Sequence, residues 1–271
     1  MPSKGSSLMN ELKVSICQAD LHWESKRANM AMFEEMIWSL EEETDLIVLP
    51  EMFTTGFSMN ASKLAEPPGG ETFKWMQMIA AQKKAAVTGS YIIKESGRFF
   101  NRLYFVLPDG SARYYDKKHL FTLAGEEKTY TPGTDKLIIT YQGWKICPLI
   151  CYDLRFPVWA RSTRTEEHLY EYDLILYVAN WPDARIHAWD VLLKARAIEN
   201  LAYAVGVNRV GTDGFPKDYP GHSAMYTFKG EELVFVKEAG IFTDSLDYAA
   251  LKTFRERYAF QGDADDFEFV R

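Results

Sequence analysis

Two short segments, DLIVLPE at residues 45–51 and DLILYVAN at 173–180, constrain the fold more than any other feature of the chain. Both are apolar without alternation, so a strand formed at either place is buried on both faces. Such a strand needs a layer packed on each side of it, which predicts a layered α/β architecture rather than a helical bundle or a half-solvated sheet. Each segment also follows a helical pattern and ends on a polar residue, Glu51 or Asn180. The echo points to two similar halves within a single sheet-based domain.

The rest of the chain fits between these strands. LKVSICQAD reads as a strand, and residues 25–43 as an amphipathic helix with Met30, Phe33, Ile37 and Leu40 on one face. GGETFKWMQMIAAQKKA gives a second helix. AVTGSYIIKE, FFNRLYFVLPDG and ARYYDKKHLF alternate around a Pro-Asp-Gly turn at 108–110 and predict antiparallel strands. KLIITYQGWKICPLICYD predicts a hairpin turning near Gly143. Residues 156–172 begin as a helix with Pro157 in its first turn. ARIHAWDVLLKARAIENL is the clearest helix of the chain. AYAVGVNRVG and the stretch 223–243 supply further strands around a Gly/Pro-rich loop at 211–222. No low-complexity linker interrupts the pattern, so residues 11–271 read as one domain behind a flexible tail at 1–10.

A composition of 47% hydrophobic and 25% charged residues matches a soluble protein with a sizeable core. The net charge of −7 leaves no electrostatic footprint for nucleic acid or an anionic membrane. No run reaches the roughly 20 apolar residues that span a bilayer, and no apolar leader precedes the first strand. Cys17, Cys147 and Cys151 are too few for a disulfide scaffold and lack zinc-site spacing, which fits a reducing, cytoplasmic setting.

Chemistry concentrates at the strand ends, where layered α/β folds place their ligand crevices. Cys151 closes the apolar run PLIC and passes at once into YDLRFP. An inert buried thiol is one reading. The other is a nucleophile at a strand-to-helix turn, its thiolate stabilised by the helix N-terminus and the Tyr152 backbone N–H placed to bind an oxyanion. Asp153 and Arg155 read as a local, architectural pair. Glu51, after LIVLP, is either paired structurally with a cation or a general base tuned by partial burial. Of Lys117 and Lys118, adjacent in a strand, one must point inward. A cysteine with a carboxylate base and an inward ammonium is a coherent acyl-transfer set. His119, His168, His187 and His222 offer the rival Cys–His dyad, though none lies in a run that aims it at Cys151.

With those residues in view, LIVLPEMFTTGF, YDKKHLF, PLICYDLRFP, YVANWP and KARAIENLAYAVGVNRVG resemble the nitrilase superfamily of carbon–nitrogen hydrolases, over about Val14 to Tyr258. The resemblance implies a four-layer α-β-β-α sandwich, commonly dimerising through the helices after the cysteine. It also implies a catalytic set of Glu51, Lys117 and Cys151. The lysine two residues before the histidine of a K-x-H-L-F pattern selects Lys117 over Lys118. A second glutamate before a Pro-Gly turn carries over to Glu126, with Glu127 as the neighbour one position away, to orient the substrate amide or assist the second proton transfer.

Within the superfamily the likeness is to omega-amidases, which hydrolyse the terminal amide of 2-oxoglutaramate and 2-oxosuccinamate. The implied partners are a small amide substrate and a second copy of the chain, with no metal or organic cofactor. Arg155, Arg185 and Arg209 are candidates for the substrate carboxylate. Phe53, Phe57 and Trp181 are candidates for the pocket wall, and Asn180 either meets the substrate or caps a turn. Another amidase or N-carbamoyl hydrolase of the superfamily is the alternative enzyme. A non-catalytic dimeric binding protein is the alternative of another class, against which the complete Glu–Lys–Cys set counts.

Overall fold

The computed structural model describes residues 11–164 and 168–269, so the tail expected at 1–10 lies outside the described residues. In chain order the strands are β1 (Glu11–Gln18), β2 (Leu46–Val48), β3 (Ala86–Glu95), β4 (Arg98–Val106), β5 (Ala112–Asp116), β6 (Ile139–Tyr141) and β7 (Trp144–Ile150). They continue with β8 (Leu174–Val178), β9 (Tyr203–Val207), β10 (Val210–Thr212), β11 (Asp218–Pro220), β12 (Ser223–Tyr226), β13 (Glu232–Val236) and β14 (Gly240–Asp247). The helices are α1 (Lys26–Trp38), α2 (Ala61–Leu64), α3 (Glu71–Lys83), α4 (Pro157–Ala160), α5 (Ile186–Asn200) and α6 (Tyr248–Arg257).

Two six-stranded sheets form, ordered β14-β1-β2-β3-β4-β5 and β6-β7-β8-β9-β12-β13. Read in those directions they repeat one pattern: an antiparallel edge, three parallel strands, then two antiparallel ones. The sequence echo is therefore structural, since β2 and β8 are the middle parallel strands of equivalent sheets. Even their leading aspartates match. Asp45 accepts the Lys13 N–H at 2.9 Å and Asp173 accepts the Lys145 N–H at 2.9 Å, each stitching its strand to the preceding one.

Strand alternation sorts the core into layers. Leu12, Val14 and Ile16 of β1, Leu46 and Val48 of β2, and Leu103 and Phe105 of β4 pack between the sheets. Cys17, Ile47, Val87 and Tyr104 point the other way, onto Phe33 and Ile37 of α1 and Trp75, Met76 and Ile79 of α3. Trp189, Leu193 and Ala197 of α5 cover the second sheet. The result is the helix–sheet–sheet–helix sandwich.

Three expectations need correction. The helix expected over 156–172 is one turn, α4. Beyond Ala160 the chain extends, with the Ser162 N–H held by Asn200 Oδ1 at 2.9 Å and Arg161 bonded to the Glu199 carbonyl; residues 165–167 are outside the described set. Leu40 lies past the end of α1, which stops at Trp38. The loop at 211–222 contains a ribbon, β10 against β11. Among the described residues no helix is long and apolar enough to cross a membrane.

Candidate active site

The two echo strands deliver their terminal residues to one point. Pro50 ends the β2 run, and the chain turns against β3, where the Met52 N–H donates to Ser90 Oγ at 2.9 Å. Gly89 permits this approach, because a Cβ there would lie 2.8 Å from Leu49 Cβ. Asn180, beyond β8, donates from Nδ2 to the Glu51 carbonyl at 2.6 Å and from its backbone N–H to Glu51 Oε2 at 2.9 Å. Asn180 thus fixes both the main chain and the carboxylate of Glu51, more than the turn-capping or substrate-facing roles considered from sequence.

Lys117 enters from just past β5. Its Nζ donates to Glu51 Oε1 at 2.8 Å and to Glu126 Oε2 and Oε1 at 3.0 and 3.1 Å. Asn101 Nδ2 of β4 also donates to Glu51 Oε1, at 2.8 Å. All three ionisable groups are buried. Burial alone would lower the pKa of the Lys117 ammonium, but the Glu126 and Glu51 carboxylates outweigh it and raise the pKa above the ordinary lysine value. Burial pushes the Glu126 carboxyl up. Both Glu126 oxygens are occupied, one also by the Phe121 N–H at 2.6 Å, so Glu126 sits behind Lys117. Glu127, its neighbour, is exposed.

Cys151 follows β7 and opens a 3₁₀ turn, Cys151–Arg155. Its φ is +45°, a left-handed conformation that costs a non-glycine residue about 1–3 kcal/mol and recurs at functional turns. Asp153 holds the turn in place. Its buried carboxylate accepts from the Ile150 N–H at 3.0 Å, Tyr115 O–H at 2.8 Å and His119 N–H at 3.0 Å, and Oδ1 lies 2.8 Å from His119 Nδ1. The Asp153–Arg155 pair expected from sequence does not form. Asp153 instead ties the cysteine turn to the Lys117 segment, and His119 partners Asp153 rather than the thiol.

Burial first, and the neighbouring Glu51 carboxylate second, push the Cys151 thiol well above its usual pKa. The resting group is a neutral thiol, which corrects the expectation of a thiolate held by a helix N-terminus. Iodoacetamide labelling of Cys151 should therefore rise with pH beyond 9 without a plateau. It should still outpace Cys17 and Cys147, which have no exposed surface, whereas Cys151 is 9% exposed. A labelling plateau near neutral pH would contradict this electrostatic picture.

Above the cysteine lies a pocket enclosing about 440 Å³, its open mouth included. Lys117, Cys151 and Asn180 reach it from below; Phe57, Phe121, Tyr152, Trp181 and Tyr219 supply its aromatic walls. Arg155 and Arg185 line it as well, over the rings of Trp181 and Phe121 at 5.1 and 4.9 Å. Among the described residues neither guanidinium has an ion pair. Arg209 is elsewhere, buried and bonded to Asp20 at 2.9 Å. Phe53 is also outside the pocket, in the core against Phe33, Trp75 and Tyr91. Lys217 and Tyr219 escaped the sequence reading because they come from a loop and a short ribbon strand without a motif, and Phe121, which closes the K-x-H-L-F pattern, was given no role there. Among the described residues no group of three His, Cys, Asp or Glu could hold a metal ion.

Known proteins resemble this chain over nearly its whole length. Omega-amidase YafV of Yersinia enterocolitica is 41% identical over 96% of this chain and 99% of its own length. The 2-oxoglutaramate amidase of Bacillus subtilis is 30% identical over 90% of this chain and 93% of its own. A solved CN-hydrolase superfamily protein from Xanthomonas campestris, with an arsenic adduct in its active site, superposes with a TM-score of 0.93 at 40% identity, covering 96% of this chain and 99% of that one. Residues 13–255 match the carbon-nitrogen hydrolase family, from the first strand to the last helix of the sandwich. With its paired sheets and a cysteine beside a Glu–Lys pair, this chain belongs to the carbon-nitrogen hydrolase family.

Proposed function

We propose that this chain is an omega-amidase, a cysteine amidase that hydrolyses the terminal amide of small 2-oxo dicarboxylic acid monoamides such as 2-oxoglutaramate and 2-oxosuccinamate. The observation that carries the reading is one pocket lined by Cys151, Lys117 and two arginines that have no ion pair among the described residues, with the buried Glu51 held by Lys117 at 2.8 Å.

Glu51 accepts the thiol proton as the sulfur attacks the amide carbonyl, so the high resting pKa is relieved only as charge moves onto the substrate. Lys117 and the Tyr152 N–H meet the oxyanion. Each such donor typically lowers the barrier by about 3 kcal/mol. Collapse breaks the C–N bond, Glu51 returns the proton to the departing ammonia, and a thioester remains. Water then gives a proton to Glu51, attacks the thioester, and releases the acid with the thiol restored. Glu126 acts through Lys117 by holding its ammonium, and Asn180 acts through Glu51. Arg155 and Arg185 hold the substrate carboxylate against walls formed by Phe57 and Trp181.

A panel of amides tests the substrate class. Ammonia release from 2-oxoglutaramate and 2-oxosuccinamate should exceed that from uncharged aliphatic amides by at least about tenfold in kcat/KM, since an unpaired arginine gains a charge-assisted bond. A neutral amide or an N-carbamoyl amino acid as the best substrate would overturn the omega-amidase reading.

A further inference from the structure

The pocket is electrically polar along its length. Its wall carries Arg155, Arg185 and Lys217 and, among the described residues, no acidic side chain. Below Cys151 the sign changes. Lys117 is already shared between two carboxylates, 2.8 Å from Glu51 and 3.0 Å from Glu126. Asn101 Nδ2 and the Asn180 N–H, the other donors to Glu51, are neutral. The one positive charge among the described residues at the floor, on Lys117, is already outnumbered by the two carboxylates it bridges.

We infer that this gradient makes the site select monoamides over dicarboxylic acids, so that the diacid formed at Cys151 is expelled by the same Glu51 that took part in forming it. The inference rests on the omega-amidase reading and adds to it a discrimination between substrate and product. A monoamide places its single carboxylate among the wall cations and its uncharged amide over Cys151. The diacid keeps the outer contact but sets a new carboxylate beside Glu51. Like charges at such range in a buried site repel strongly, and the pair can be accommodated only by taking up a proton. Lys217, on the loop leading into β11, adds to the outer attraction.

Calorimetric titration of the full chain carrying Cys151→Ala, with succinamate and separately with succinate, measures the discrimination without turnover. Succinamate should bind at least about tenfold more tightly. Adding Glu51→Gln should narrow or invert that ratio, chiefly by tightening succinate. Arg185→Ala should instead weaken both ligands alike, because both carry the outer carboxylate. Equal binding of the two ligands to the Cys151→Ala protein would overturn the inference and leave the omega-amidase reading standing. An intact preference after Glu51→Gln would likewise overturn it. Binding of neither ligand would overturn the inference together with the substrate reading. The comparison in the Cys151→Ala protein needs no change at Glu51, so it decides the matter even where Glu51→Gln does not fold.

Discussion

Replacing Lys117 by methionine is expected to lower the free energy of unfolding by about 3–5 kcal/mol, the usual result of removing one partner from a buried ion pair. For a chain of this size that is a fall in Tm of roughly 10 °C. The cause is specific. Lys117 is 1% exposed and bridges Glu51 and Glu126, both at 0%. Without it two carboxylates face each other in the interior with only Asn101 Nδ2 between them, 2.8 and 3.4 Å away. The deficit should depend on pH. Burial already raises the Glu126 pKa, so the folded state favours its protonated form. Stability from that preference is present below the ordinary glutamate pKa of about 4.3 and is lost as pH rises. The variant should accordingly be least impaired in acid. Adding Glu126→Gln should recover part of the loss, as expected for directly coupled groups. Hydrolysis should fall at least about a hundredfold in either case, because an oxyanion donor is gone. A Lys117→Met protein as stable as the unaltered one at neutral pH would contradict the charge balance described here.

The second large effect falls on activity with little change in stability. Cys151→Ala should lose at least about a thousandfold in amide hydrolysis, since every step passes through the sulfur. Its Tm should stay within a few degrees. The side chain removed is small, and alanine inherits the same left-handed backbone. Cys151→Gly should be more stable than Cys151→Ala by about 1 kcal/mol, because glycine adopts φ +45° without the Cβ penalty. An alanine variant more stable than the glycine variant would show that the turn carries no strain.

Glu51 and Cys151 were legible in the sequence as candidates because each ends a run with a strong apolar signature, whereas Lys117 follows the mixed strand ARYYD. LIVLP and PLI predict buried strand ends, and the polar residues that follow are conspicuous there. Which lysine points inward was undecided by alternation, since Lys117 lies one residue beyond β5 rather than within it. The family pattern supplied the choice, and the burial of Lys117 agrees with it. The partners of Asp153 were not legible. Tyr115 and His119 are 38 and 34 residues away in sequence, and only the packing of β5 against the cysteine turn brings them together. The helix after Pro157 failed for a related reason. Its first turn carries the right signals, but Arg161 and Ser162 find tertiary partners on and beyond α5, at Glu199, Gln261 and Asn200, that end it.

The echo of β2 and β8 shows how a weak local signal gains meaning from topology. Seven residues of similarity indicate little alone. Placed at the centre of equivalent sheets, they bring Glu51 and Asn180 into contact beside Cys151. One half of the sandwich supplies the carboxylate, and the other supplies the thiol and the amide that fixes that carboxylate. Neither half contains a complete site.

In the proposed reaction Cys151 carries the acyl group of an omega-amide substrate through a thioester. Mass spectrometry of acid-quenched protein during turnover of 2-oxosuccinamate, with ammonia followed in parallel, tests it most directly. Ammonia release should come with an acyl adduct confined to the peptide bearing Cys151, and both should be lost in Cys151→Ala. Ammonia release that persists in Cys151→Ala, or an adduct on Cys17 or Cys147 instead, would contradict it.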